Sequence, residues 1–293
     1  MKYPALMVLL FFCACRGKQQ QGPTTRHEHA EESVVDSVRT SSVDFYSAAL
    51  QRTSHYLVTL PPDYDSKPAL RFPVLFLLHG MDGSPADWID KGHLAQSASS
   101  HHLILVMPDG ADSYYTNSVF RSKDRYEDFI TQDLLHDIEQ HYRVMPKHEA
   151  RGIAGISMGG YGAVKIALRH PDQYGFAAGL SAPLDVTRWP WAPRRFGQSM
   201  RLLRVFGPTG GSARRANDVF LLVQKSQAAP YLYLACGTSE GLLGVNREFD
   251  SLLTTRGLAH EYHESRGAHA WDSWSRMLPS MLIAVEQHLH ASD

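Results

Sequence analysis

Gly155-Ile156-Ser157-Met158-Gly159 has the form G-x-S-x-G. Between a strand and a helix such a pentapeptide forms a sharp turn that lifts the serine hydroxyl above a sheet, as a nucleophile requires. Composition alone gives roughly 0.14 matches in a chain of this make-up, so the pattern by itself says little. Its setting says more. It follows the apolar run RGIAGIS and opens the helix-like stretch Met158 to Arg169, whereas Ser41-Ser42 has no such flanks. A serine hydroxyl is a poor nucleophile at neutral pH, so a base must take its proton and an acid must orient that base. Where a serine stands in this strand–turn–helix setting, the chain order is serine, acid, histidine.

Sixteen histidines compete for the base. His269 lies in RGAHAWDSW, a glycine-containing loop between the last expected strand and the last expected helix. That puts it at the C-terminal edge of the sheet, where the serine turn also points. His260 and His263 fall inside a strand, His79 precedes the Gly80 turn and His170 ends a helix. For the acid, Glu240 follows the strand YLYLACG in the loop Gly237-Thr238-Ser239-Glu240, at the same edge. Asp185, after FAAGLSA, is the rival, and Asp272 is too near His269 in sequence to be its default partner. A tetrahedral intermediate also needs N–H donors for its oxyanion. Met158, the residue after the serine, supplies one. The other belongs to His79-Gly80-Met81-Asp82-Gly83, with Met81 first and Gly80 second.

The elements that must hold these residues alternate between strand and helix. RTSHYLVTLP reads as a strand ending in a Pro-Pro-Asp turn. FPVLFLLHG and HLILVMPDG are continuous apolar runs bounded by turn residues, as strands buried on both faces are. Tyr126 to Tyr142 carries a helical stripe of Phe129, Ile130, Leu134, Leu135 and Ile138. The helix from Met158 stops before Pro171. Further strands fall at FAAGLSA, YLYLACG and AHEYHES, and further helices at Asn246–Thr255 and Asp272–His290. The fold class is therefore α/β, with a mostly parallel central sheet covered by helices on both faces.

Five blocks in order, LLHGMDGSPADW, VMPDGADSYYTN, RYEDFITQDLLHDIE, GIAGISMGGYGAVKIALRHPDQY and GTSEGL with GAHAWDSW, resemble the bacterial putative-esterase family, the esterase D-like branch of the α/β-hydrolases. The resemblance runs from about residue 53 to 290 and is nearest to tributyrin and feruloyl esterases, with S-formylglutathione hydrolases and mycolyltransferases as further relatives. It implies an α/β-hydrolase fold without a large lid, and a cofactor-free serine esterase working through an acyl-enzyme on short-chain or aromatic acyl esters. It implies the same roles as above: Ser157 as nucleophile, His269 as base, Glu240 as acid, Met81 and Met158 as oxyanion donors. Many relatives carry Asp where this chain has Glu240, and the extra methylene demands a different reach. Transfer of the acyl group to a sugar hydroxyl is the nearest alternative. S-formylglutathione hydrolysis is disfavoured because that substrate is cytosolic, and a non-catalytic envelope binding protein is disfavoured by the intact triad residues.

Residues 183–217 are the main segment available to shape a pocket. They contain Trp189-Pro190-Trp191 and the arginines Arg194, Arg195, Arg201 and Arg204. Either Trp191 or Trp189 walls the acyl site or both pack the segment onto the body; the arginines read as a solvated helix face. Gly80, Tyr114, Tyr115 and Asn117 sit where a cleft lining would be. No metal is expected: His260-Glu261-Tyr262-His263 and His27-Glu28-His29 lack the H-E-x-x-H spacing, and no phosphate-cradling glycine loop is present.

The chain has 29 Lys+Arg against 30 Asp+Glu, a net charge of -1, which lacks the basic excess of a nucleic-acid binder. MKYPALMVLLFFCAC has a positive start and a nine-residue apolar core, too short to span a bilayer and suited to a signal peptide. Ala14-Cys15 resembles a lipoprotein processing site. The expected organisation is a signal segment over 1–15 with lipidation at Cys15, a flexible polar tether over 16–45 and the enzyme domain over 46–293. The expected location is the cell envelope, lipid-anchored at the outer membrane or surface, or otherwise periplasmic or secreted. Its partner would be a small or polysaccharide-linked ester, and membrane contact would come through the anchor alone.

Overall fold

A computed structural model describes residues 27–29, 39–226 and 228–289. The expected signal segment, Cys15 and most of the expected tether lie outside the described residues. Among the described residues nine strands form one sheet: β1 (His27–His29), β2 (Arg39–Ser47), β3 (Arg52–Leu60), β4 (Val74–Leu78), β5 (Ile104–Pro108), β6 (Arg151–Ile156), β7 (Phe176–Leu180), β8 (Tyr231–Gly237) and β9 (His260–Ser265). Their order is β1-β2-β3-β5-β4-β6-β7-β8-β9. From β5 to β9 every pairing is parallel, and β1, β2 and β3 add an antiparallel flank. This is the α/β-hydrolase arrangement anticipated above.

The alternating side chains of the buried strands feed two cores. Phe76 and Leu78 of β4 join one apolar cluster, and Leu75 and Leu77 join the other. On the first face pack α1, a helix over 126–141 with a π-helical middle turn at Phe129–Leu134, then α2 (Met158–Arg169), α3 (Phe196–Phe206) and α4 (Leu243–Arg256). On the second packs α5 (Trp271–His288), through Trp274, Met277, Leu278, Met281 and Leu282. Burial on both faces is why these strands read as unbroken apolar runs.

One boundary needs correction. Residues 39–45, expected within the tether, belong to β2, which pairs along its whole length with β3. Its buried positions are Ser41, Val43, Phe45 and Ser47. Two of the four are serine, which hides the period-two pattern. Ser47 is accommodated because its hydroxyl donates to Asp133 Oδ2 (2.5 Å).

A buried charge cluster locks α2 to α1. Lys165, fully buried on α2, donates from Nζ to Glu127 Oε2 (2.7 Å) and to the carbonyl of Tyr115 (2.7 Å). Arg169 Nε lies 2.8 Å and His170 Nε2 3.0 Å from Glu127 Oε1. Burial alone would push the Glu127 carboxyl up; the Lys165 charge, the His170 hydrogen bond and the Arg169 charge outweigh it and hold the group well below the usual carboxylate range. A carboxyl held low in the folded state contributes stability above its unfolded value of about 4.3, and that contribution is lost as the pH falls below it. Glu127→Gln leaves Lys165 buried without its counter-charge. We expect a loss of about 3 kcal/mol at neutral pH by urea unfolding, narrowing below pH ~4; a loss that stays the same in acid would contradict the assignment.

Candidate active site

The loops that follow β4, β5, β6, β7, β8 and β9 all open at one edge of the sheet, and the candidate residues stand in them. Ser157 follows β6 directly, with φ 51° and ψ −119°. A non-glycine residue holds such a backbone only where its surroundings enforce it. Here they do. A Cβ on Gly155 would lie 2.3 Å from the carbonyl carbon of Gly159, and one on Gly159 would lie 2.1 Å from the carbonyl oxygen of Leu78. The two flanking glycines are therefore required by the close approach of β6, β4 and α2.

His269 Nε2 lies 2.8 Å from Ser157 Oγ, and its Nδ1 lies 2.7 Å from Glu240 Oε2. A carboxylate only accepts, so Nδ1 carries the proton and Nε2 is free to take one from the serine. The Glu240 carboxylate is fully buried, while the His269 ring is 39% exposed toward the cavity. The longer reach of Glu240 is absorbed by folding back over its own loop: Oε1 accepts the Gly237 N–H (3.0 Å), and a Cβ on Gly237 would lie 2.5 Å from it.

Two residues that the sequence reading missed complete this line. Ser181, immediately after β7 with φ 50°, donates from Oγ to Glu240 Oε1 (2.6 Å). Trp274 donates from Nε1 to Ser181 Oγ (3.0 Å), and its ring meets the His269 ring edge to face at 4.9 Å. Trp274 thus touches the His269 ring directly and Glu240 through Ser181. The only sequence signal for Ser181 was a serine at the end of a buried strand; for Trp274 it was an indole five residues after His269.

Met81 and Met158 line the same cavity as Ser157. Met158 is the first residue of α2, so its N–H has no partner within the helix. The Gly80–Met81 peptide is oriented from below. The Gly110 N–H donates to His79 Nε2 (2.9 Å), so His79 Nδ1 carries the proton and donates to the Gly80 carbonyl (2.7 Å). In a trans peptide the carbonyl and the next N–H point opposite ways, so the Met81 N–H points away from His79.

The cavity over Ser157 measures about 330 Å³, within the range of small-ligand sites. Gly80, Tyr114, Leu242, Trp189, Trp271 and Trp274 are among its lining residues. Tyr115 and Trp191, both expected at the cleft, do not line it. Tyr115 is fully buried beneath, donating its hydroxyl to the His79 carbonyl (3.1 Å) and packing where Gly162 leaves room. Trp191 is 46% exposed and meets Phe196 edge to face. Trp189 takes the wall position, held by Asp185 Oδ1, which accepts its Nε1–H (2.8 Å). Asp185, the rival acid, is therefore occupied elsewhere. Of the four arginines, Arg201 is not simply solvated: it turns toward Asp82 and Asp112.

Comparison with known proteins bears on what this geometry serves. A family model described as "Putative esterase" matches residues 47–285. The chain belongs to that family. It is a carboxylesterase with an α/β-hydrolase fold. An acetyl esterase of Caldicellulosiruptor saccharolyticus is 26% identical over 253 residues, 80% of this chain and 94% of its own length. An esterase of Mycobacterium tuberculosis is 29% identical over 78% of this chain, which spans only 55% of that protein. Among solved structures, a ferulic acid esterase superposes with a TM-score of 0.73 at 24% identity over 86% of this chain and 99% of its own. An S-formylglutathione hydrolase from Agrobacterium tumefaciens gives 0.76 at 20% identity over 88% and 98%. These structural likenesses speak for the fold.

The candidate acid, Glu240, accepts the Ser181 hydrogen bond, which gives the first test of the site. Ser181→Ala removes a hydrogen bond to a charged group and strands the Trp274 N–H. We expect kcat to fall roughly 10-fold with KM little changed, read by steady-state hydrolysis of a p-nitrophenyl ester. An unchanged kcat would mean that Ser181 only fills space.

Proposed function

We propose that this esterase hydrolyses short-chain or aromatic acyl esters through an acyl-enzyme formed on Ser157. The observation that carries the reading is the unbroken hydrogen-bonded line from the buried Glu240 carboxylate through His269 to the Ser157 hydroxyl, at the floor of an open cavity.

In this reading Ser157 Oγ attacks the ester carbonyl carbon while its proton passes to His269 Nε2. Glu240 holds the Nδ1–H and stabilises the imidazolium that forms. The carbonyl oxygen becomes an oxyanion received by the N–H groups of Met81 and Met158, fixed donors that need no reorganisation at that moment. Collapse of the intermediate breaks the bond to the alkoxy oxygen, which takes the proton from His269 and leaves as the alcohol. Water then enters, gives a proton to His269 and attacks the acyl carbon. A second collapse returns that proton to Ser157 and releases the carboxylic acid. No step calls for a metal or an organic cofactor.

The substrate class follows from the cavity. Tyr114, Trp189, Trp271 and Trp274 supply flat apolar walls suited to an acetyl, butyryl or phenolic acyl group, and about 330 Å³ leaves little room for a long chain. The names of the acetyl and ferulic acid esterases agree with this choice. Export with lipidation at Cys15 would present the enzyme to ester groups on envelope or extracellular carbohydrate.

A panel of p-nitrophenyl acetate, butyrate and octanoate with methyl ferulate tests both parts. We expect kcat/KM for acetate or butyrate to exceed that for octanoate by roughly 10-fold or more, measurable turnover of methyl ferulate, and loss of at least about 10⁴ in kcat in Ser157→Ala. Activity that survives in Ser157→Ala refutes the nucleophile. Octanoate as the best substrate refutes the acyl class.

A further inference from the structure

We infer that Arg201 and Asp112 are positioning residues of the oxyanion hole, through which the 183–217 segment sets the direction of the Met81 N–H. The inference rests on the proposal that this N–H receives the oxyanion.

The loop 79–83 has one internal backbone bond, from the Gly83 N–H to the Gly80 carbonyl (3.3 Å), and is otherwise held from outside. Asp82 has a left-handed backbone, φ 55°, without being glycine, a conformation that persists only when tertiary contacts over-determine it. One contact comes from His79, which fixes the Gly80 carbonyl and so the near side of the Met81 residue. The far side is the Met81–Asp82 peptide, whose N–H donates to Asp112 Oδ1 (2.9 Å). Asp112 stands in the loop after β5 and cannot set that distance alone. Its other oxygen, Oδ2, lies 3.0 Å from Arg201 Nη2. The same guanidinium reaches Asp82 Oδ1 (3.4 Å) and touches Met81 Sδ through Nη1.

Arg201 and Asp112 are about three-quarters buried, whereas the Asp82 carboxylate is 75% exposed. The Arg201–Asp112 pair therefore carries the restraint, because solvent screens the exposed carboxylate. With His79 on one side and Asp112 on the other, both peptides flanking the Met81 α-carbon are tied down. If the second tie is released, the strained turn can relax to an ordinary backbone and swing the Met81 N–H out of line. Arg201 sits on α3, one helical turn after Gln198, which lines the cavity. The element that shapes the pocket thus also holds the catalytic donor, with no lid involved.

The experiment is a double-mutant cycle on the full chain, with Arg201→Ala, Asp112→Ala, their combination, Arg201→Lys and Ser157→Ala. Each is assayed on p-nitrophenyl butyrate and titrated with phenylboronic acid, whose tetrahedral serine adduct places an oxygen where the oxyanion would lie. Thermal unfolding verifies that each variant is folded. The inference predicts that Arg201→Ala and Asp112→Ala each lower kcat roughly 10- to 100-fold, with KM within about threefold and boronate affinity falling in step with kcat/KM. The double variant is no worse than Asp112→Ala, and Arg201→Lys recovers most of the activity because an ammonium can still pair with Asp112. Full kcat in Arg201→Ala, additive losses, a change in KM alone or boronate affinity unmoved while kcat falls would each overturn it. Failure of the underlying reading is seen separately, as Ser157→Ala retaining turnover or boronate binding.

Discussion

The backbone of Ser157 is held where an L-residue does not rest by choice, at φ 51° and ψ −119°, and the site depends on that restraint. Such a conformation costs of order 1–3 kcal/mol. It is secured by the Ser157 N–H bond to the Leu180 carbonyl (2.8 Å) and by the first bond of α2, from the Tyr161 N–H to the Ser157 carbonyl (3.0 Å). The flanking glycines permit contacts that no side chain would allow. The hydroxyl is thereby carried on the rigid junction of a buried strand and a buried helix, not on a loop able to drift.

The same device recurs one strand over. Ser181 follows β7 as Ser157 follows β6, with a nearly equal positive φ, and its N–H donates to the Ala235 carbonyl of β8 (2.7 Å). Two adjacent parallel strands thus end in matched turns: the first presents the Ser157 hydroxyl and the second presents a hydrogen-bond donor to the buried Glu240 carboxylate. Because β6, β7, β8 and β9 are neighbours in parallel register, Ser157, Ser181, Glu240 and His269 follow four strand ends in turn. Sheet geometry sets their spacing, and the side chains add only the final few ångströms. The buried Glu127–Lys165 pair ties α2 to α1, and α2 is the helix that Ser157 opens, so core packing and the site share one scaffold.

Much of this was legible in the residue order. Strands buried on both faces announce themselves as apolar runs, so the serine after RGIAGI and the glutamate after YLYLACG must emerge at the sheet edge. His269 follows the polar edge strand β9 and was legible only from its loop between the last strand and the last helix. What escaped were features that depend on which way a side chain turns. Residues 39–45 of β2 read as tether because Ser41 occupies an inward position and breaks the apolar alternation. Tyr114 and Tyr115 are neighbours with positive φ at both residues, so the chain turns there and only the first lines the cavity; no periodicity encodes that choice. Trp189 and Trp191 flank Pro190, and the Asp185 hydrogen bond selects the first for the wall. Arg201 was hidden among arginines, since only the fold brings it to Asp112, 89 positions earlier in the chain.

The central claim is that Ser157 is the nucleophile and that its reactivity comes from His269 held by Glu240. Labelling with a fluorophosphonate, followed by peptide mass spectrometry, tests it most directly, because the reagent reports serine reactivity without depending on the natural ester. One adduct per chain is predicted, on the peptide that contains Ser157, with the labelling rate lowered at least about 100-fold in His269→Ala. An adduct on another serine, or Ser157 labelled equally fast without His269, would contradict the account.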